Sequence, residues 1–328
     1  MQAQPKASLS PEARKQAKAE AALAAAGVPL DFAAVEKVLR QGLTPGLDAK
    51  LADRFDRPTA VRAVATRVAA LTAALVASGV RRGGVCIVPA LASAATLEAV
   101  AAAGLRAWLV DVDPYSWMFD PAHLRERLGE APPPIEAIVP TCAFGRAPDM
   151  TAWAAFQRET GLPIVVDATD GFDVIMDAPV PVVVGLPSGR GVFVASQDAD
   201  FIARLDAPAF VGEAGLDNWS SQRLRLATAA QRLRMLLMGA SIGFQPGWGM
   251  SWVSDAWVVS VPEGAAPVVA EKLAEMGYAT NPVGPGIVVR DQTPVADRLA
   301  KSVLSLPFHA DLGIAELDEL AEAVRKAL

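Results

Sequence analysis

Along the middle of the chain, apolar residues come in short continuous runs separated by stretches with helical spacing. Val85-Cys86-Ile87-Val88 is the clearest run of strand length, and residues 107–111, 135–140 and 163–167 read the same way. Between them the alanine-rich segment 94–103 and the segments 123–128 and 150–160 carry helical periodicity. Strands apolar on both faces and alternating with helices predict a parallel, doubly wound α/β sheet. Ligands of such sheets bind beyond the carboxyl ends of the strands, so Asp111, Thr141 and Asp167 are expected to point toward a site.

Helices are predicted on either side of this region. Ser10 can cap a helix with Pro11 at its first position, running to Ala26 before Gly27. Residues 31–40 form a second, and the spacing of Leu47, Leu51 and Phe55 gives a short amphipathic one. Residues 59–78 read as one longer helix stopped by Gly79. Beyond Arg223 a helix rich in Leu, Ala and Arg runs to about Met238. The last part reads as strand 257–261, helix 266–276, strand 286–290 and helices 295–302 and 314–327. Three parts are therefore expected: an N-terminal helical extension, 1–34; a large α/β domain, 35–245; and a small C-terminal α/β domain, 246–328.

Composition narrows the setting. Of the 328 residues 52% are hydrophobic but only 6% aromatic, so the cores must be built mostly from small side chains at close approach. A net charge of −6 offers no long-range attraction to a polyanion, and nucleic acid is not an expected partner. The N-terminal segment scatters charges among its apolar residues, unlike a signal peptide. The most apolar window, 85–105, is broken by Pro89 and Glu98 and reads as a strand and a helix, not a membrane span. A cytoplasmic protein is expected. Cys86 and Cys142 have neither CxxC spacing nor a nearby histidine, and read as reduced core thiols.

Several segments, in order, resemble the DegT/StrS family of nucleotide-sugar aminotransferases, which use pyridoxal phosphate on the fold-type-I scaffold. They are residues 38–46; Ile87-Val88-Pro89-Ala90-Leu91 followed by Thr96-Leu97-Glu98-Ala99-Val100; Asp111-Val112-Asp113-Pro114; Phe144-Gly145-Arg146-Ala147-Pro148-Asp149-Met150; Val166-Asp167-Ala168; and Val303-Leu304-Ser305-Leu306-Pro307-Phe308-His309. The resemblance implies a large, mainly parallel doubly wound domain with a small C-terminal α/β domain, a dimer with its site near the interface, and a place in glycan biosynthesis. It also implies that Asp167 stands where the family's aspartate meets the pyridine nitrogen of the cofactor; an aspartate capping a turn at a strand end is the other reading.

The remaining cofactor contacts of the family do not carry over. Its phosphate cup, Ser-Gly-Thr at a helix N-terminus, aligns with Thr66-Arg67-Val68, where Arg67 could hold some other anion. The aromatic that stacks on the cofactor ring falls at Ser93. No lysine occurs between Leu51 and Glu271, and counting back from Gly191 puts the Schiff-base position near Val183. Arg190 cannot replace it, because a guanidinium stays protonated and forms no aldimine. His123 and His309 fall elsewhere, so no histidine base takes its place. Asp167 is thus a vestigial cofactor position, and Thr66, Arg67, Ser93, Asp170, Ser188 and Arg190 outline the expected pocket.

Other patterns read as structural. Asp167, Asp170, Asp173 and Asp177 lack the glycine and terminal glutamate of a calcium loop, and no metal is expected. The segment Gly185-Leu186-Pro187-Ser188-Gly189-Arg190-Gly191 fits neither phosphate-binding glycine motif. Trp248, Met250, Trp252 and Trp257 suggest core or a subunit interface. The expectation is a non-transaminating homologue without cofactor or catalytic residues. It would bind a nucleotide sugar or related metabolite, or pair with an active paralogue, as a homodimer or heterodimer. The alternative is an active sugar aminotransferase holding pyridoxal phosphate non-covalently or through a partner chain's lysine, with Lys50 and Lys301 the first of its own lysines to examine.

Overall fold

The computed structural model describes residues 46–282 and 293–328. The helices expected over 10–26 and 31–40, the 1–34 extension and the strand expected over 286–290 lie outside the described residues. The first described elements are α1 (Leu47–Ala52), β1 (Ala60–Val64), α2 (Arg67–Ala77), β2 (Val85–Pro89), α3 (Ala94–Ala102), β3 (Arg106–Val110), α4 (Pro121–Arg127), β4 (Ile135–Ile138) and α5 (Met150–Thr160). Then come β5 (Val166–Ala168), β6 (Val182–Gly185), β7 (Val192–Ser196), α6 (Ala199–Ala203) and α7 (Trp219–Leu236). The C-terminal elements are β8 (Gly243–Phe244), β9 (Trp257–Ser260), α8 (Ala266–Glu275), β10 (Asn281–Pro282), α9 (Pro294–Ser302), β11 (Val303–Leu306) and α10 (Ile314–Ala327).

The helix expected over 59–78 is in fact a strand and a helix. Ala60–Val64 pairs antiparallel with β7, and Thr66, extended, caps α2 by accepting the Ala69 N–H at 3.2 Å. Helical spacing in Leu and Ala could not reveal the break, because β1 is specified by its edge pairing with a strand about 130 residues away.

The strands of the first part form one mixed sheet. β2 lies parallel between β3 and β4. β5, β6, β7 and β1 form a second ladder, with β5 parallel to β6 and β7 antiparallel to both neighbours. Parallel bridges Ile138↔Ile164 and Thr141↔Asp167 stitch the two ladders together, through Asp167 N–H to Pro140 O at 2.8 Å and Cys142 N–H to Asp167 O at 2.8 Å. The expected parallel strands are all present, and the antiparallel edge is the addition. Their inner face packs on α2 and α3: Leu71, Leu75 and Val100 meet Val88, Val139, Val183 and Val194, all essentially inaccessible. Cys86 belongs to this core; it and Cys142 are unpaired and buried, and burial pushes both thiols well above their ordinary range.

A second, antiparallel sheet of order β10-β11-β9-β8 carries α8 and α10. Its core also takes Leu226, Ala230 and Leu233 from α7, so this packing unit begins ahead of residue 245, where the sequence suggests a boundary. Trp248 and Trp257 stack in it at 6.0 Å, Trp252 is buried beside them, and Met250 is exposed. Among the described residues no helix is long and apolar enough to cross a membrane.

Asp111 is corrected by the structure. It does not point toward a site. Its buried carboxylate accepts the N–H groups of Val295 and Ala296 at 2.8 Å each, and that of Val112 at 3.0 Å. The end of β3 thereby caps α9 across more than 180 residues, a satisfied cap with an anion at the positive end of a helix. Asp111→Ala leaves those amides without an acceptor and is expected to cost about 2 kcal/mol in urea unfolding, with Asp111→Asn losing clearly less. Equal midpoints for all three proteins would show the cap to be energetically idle.

Candidate active site

The site forms where β5 ends. Asp167 is the second residue of that strand and its side chain is entirely buried. One carboxylate oxygen, Oδ2, accepts the Thr96 hydroxyl at 2.5 Å and Arg67 Nη2 and Nε at 2.7 and 3.3 Å. The other, Oδ1, accepts the Thr169 hydroxyl at 3.0 Å and the Thr169 N–H at 3.4 Å. A buried carboxylate needs opposite charge and hydrogen-bond donors on its lone pairs, and here the chain supplies both.

Thr96 is held in turn by Ser93. As N-cap of α3, Ser93 accepts the Thr96 N–H at 3.2 Å, and the two hydroxyls lie 3.0 Å apart. The Thr96 proton goes to the carboxylate, so Ser93 is the donor between them. Arg67 occupies the first position of α2, the end of a helix that disfavours a cation, and the first turn holds no acidic residue to offset it. Its compensation comes from Asp167, 100 residues later.

Above this pair opens a cleft of about 290 Å³. Arg67 and Asp170 line its polar side together with Asp255 and Gln222, while Phe172 and Trp219, packed edge to face at 4.9 Å, line another. The segment 185–191 contributes Gly185, Leu186 and Pro187 to the wall. A Cβ on Gly185 would lie 2.2 Å from the Thr169 carbonyl oxygen, so no side chain can project from that position without moving the backbone.

Of the residues expected in the pocket, Arg67 and Asp170 line the cleft and Asp167 lies beneath Arg67. Thr66 is a helix cap and Ser93 a cap behind Thr96; neither lines the cleft. Ser188 and Arg190 are exposed; Ser188 Oγ donates to Arg190 O at 3.1 Å, and the Ser188 N–H to Ala214 O at 3.1 Å. The position counted for the Schiff-base lysine, Val183, is inaccessible in the middle of β6, paired with Asp167 and Val194. The cleft wall is the segment after it, because the chain between β6 and β7 is a tight turn. Among the described residues none that lines the cleft is a lysine; Lys50 is exposed on α1, and Lys301 is exposed on α9 and paired with Asp297 at 2.6 Å.

Thr96, Thr169, Trp219, Gln222 and Asp255 also belong to the site, and sequence reasoning does not single them out for it. Thr96 alone carries a signal, standing in one of the segments that resemble the family. Of the acidic series, Asp173 also lines the cleft, its carboxylate accepting Arg223 Nε at 2.5 Å and the Val253 N–H at 3.0 Å, whereas Asp177 does not line it and accepts Gln197 Nε2 at 2.6 Å. Thr141 bridges the backbone to Asp167 but does not line the cleft.

Asp170 differs from these. Among the described residues nothing donates a hydrogen bond to its carboxyl, and its pKa is pushed from 3.8 up to about 6: loss of solvent is the largest cause, Arg67 opposes it, and Asp167 and Asp255 add to it.

Residues 43–177 match the model of the DegT/DnrJ/EryC1/StrS aminotransferase family. A 146-residue stretch, 43% of the chain, is 32% identical to the UDP-2-acetamido-2-deoxy-3-oxo-D-glucuronate aminotransferase of Pseudomonas aeruginosa and spans 40% of that protein's length. A 99-residue stretch is 35% identical to a pleiotropic regulatory protein of Geobacillus stearothermophilus, 30% of this chain and 26% of that one. The chain thus matches less than half the length of these relatives. The fold extends further: a DegT/DnrJ/EryC1/StrS aminotransferase from Brucella abortus superposes with a TM-score of 0.73 over 90% of this chain and 94% of its own, at 20% identity.

Because the raised Asp170 pKa means that the folded state holds this proton more tightly than the unfolded chain, its cost is absent below pH ~4, grows as the pH rises to ~6 and is constant above. Asp170→Asn removes the titration. The variant is expected to be more stable than the parent near neutral pH, by as much as ~2–3 kcal/mol, and indistinguishable from it near pH ~4. A pH-independent difference in denaturant midpoints would refute this.

Proposed function

We propose, for a chain that belongs to the DegT/DnrJ/EryC1/StrS aminotransferase family through residues 43–177 and keeps the family's fold, a role other than transamination. It binds a nucleotide sugar or a related metabolite in the cleft over Arg67, or serves as a partner subunit to an active paralogue in glycan biosynthesis. The observation that carries this reading is the state of Asp167. Pyridoxal phosphate would need that carboxylate for its ring nitrogen, an amine for its aldehyde and a cup for its phosphate. Here the carboxylate is engaged by Arg67, Thr96 and Thr169, no lysine lines the cleft among the described residues, and the first turn of α2 presents Arg67 and Val68. The residues present do not fit the cofactor.

What the cleft does offer suits a polyhydroxylated ligand. Carboxylates at Asp170 and Asp255 accept hydroxyl protons, Gln222 both donates and accepts, and the edges of Trp219 and Phe172 give apolar surface. Of the two relatives matched by sequence, one is named as an aminotransferase of a nucleotide sugar, which supports that ligand class, and the other as a regulatory protein, which supports a role other than catalysis. We further propose that the protein is a dimer, with itself or with an active paralogue.

Two measurements test this. The purified protein mixed with pyridoxal phosphate and passed through a desalting column is expected to keep none of the cofactor's absorbance; a stoichiometric band would overturn the reading. Calorimetric titration with UDP-, GDP- and dTDP-sugars is expected to give one site per chain for one nucleotide class, and Asp170→Ala with Gln222→Ala to weaken it at least ~10-fold. With no sugar bound, the partner-subunit form is expected to show as a heterodimer on co-expression with the paralogue; neither sugar nor paralogue binding would sink both forms.

A further inference from the structure

Asp167 is wholly buried, and a buried carboxylate is costly unless it is paired with a cation and hydrogen-bonded. Its neutral donors, Thr96 and Thr169, come from α3 and from the strand end beneath it. Among the described residues, the positive charge bonded to it comes from the cleft side, through a planar guanidinium placed at the unfavourable end of its own helix. Arg67 is therefore where it is because of Asp167, not because α2 favours it. Its side chain is 26% exposed and forms part of the cleft floor, so removing it opens Asp167 to the cleft.

We propose that the surroundings of Asp167 form a binding site for one planar organic monocation, and that the chain fills this site itself with the Arg67 guanidinium. The arginine is a tethered ligand. It keeps the buried carboxylate paired, so that the sheet end stays assembled with nothing bound. An empty site would accept a free planar cation carrying an N–H donor, either a guanidinium or a protonated nitrogen ring, since both present one delocalised charge and an in-plane donor to Oδ2. The proposal rests on the functional reading only in that no cofactor holds Asp167 in the native protein.

The test uses the full-length chain with Arg67→Ala and with Arg67→Ala combined with Asp167→Asn. The single variant is expected to lose roughly 5–10 °C in Tm, the response to an unpaired buried charge in a chain of this size. Millimolar methylguanidinium is expected to restore at least half of the loss, and 4-aminopyridine, cationic at neutral pH, to do the same if rings are admitted. Tetramethylammonium at equal ionic strength should restore nothing. The double variant should recover most of the Tm and ignore methylguanidinium. Rescue by methylguanidinium alone restricts the site to guanidinium and still supports the proposal. An equal response to all three cations, or none, overturns it. If the single variant does not fold, methylguanidinium must rescue its refolding and the double variant must fold unaided; failure of either assigns Arg67 to packing and overturns the proposal. Cofactor absorbance in the native protein would instead defeat the functional reading, so the two failures are distinct.

Discussion

The ion pair between Arg67 and Asp167 is the constraint on which the site depends. One carboxylate at the end of β5 collects donors from the first turn of α2, from α3 and from its own strand, and so sets the relative positions of three segments far apart in the sequence. Such a pair contributes little net stability when desolvation is counted, but breaking it is costly, which gives it the character of a registration device. The layers around it are apolar and built from Val, Ala and Leu, which pack densely without specifying direction. Specific direction at the cleft floor comes from the polar cluster.

A second long-range cap plays the same part elsewhere. Asp111 lies at the end of β3 as Asp167 lies at the end of β5, yet it serves α9 and does not line the cleft over Arg67. Around it Leu91, Val112 and Trp117 pack with Val258, Leu299 and Val303, so the end of the first sheet and the second sheet share apolar contacts. Two aspartates in equivalent places at strand ends have separate tasks, decided by what reaches them. A helix N-terminus satisfies one and a guanidinium the other.

Much of the site is legible residue by residue, and the misses have physical causes. Asp167 and Arg67 both stand out in the sequence, but there Arg67 reads as a holder of an outside anion; only the fold shows that its anion is Asp167. Counting back from Gly191 lands on Val183, and only the pairing of β6 with β5 and β7 shows that this position lies inside the sheet. Ser188 and Arg190 resemble cleft residues because their neighbours are; a turn sends some of its residues to solvent. Trp219, Gln222 and Asp255 come from α7 and from the segment before β9, where resemblance to the family is weakest, and no local pattern marks a residue that matters only by converging on a cleft.

By itself, the sequence determined the alternation of strands and helices, the parallel core of the first sheet, the buried tryptophans and the lack of any lysine between Leu51 and Glu271. These are properties of periodicity and composition, which act over a few residues or over the whole chain. The tertiary structure alone decided that residues 60–64 are a strand, that Asp111 caps a helix, and that Arg67 fills the space against Asp167. Each of these is a pairing across 100 residues or more, and the partner of a buried charge is a fact of three-dimensional proximity that no local pattern encodes.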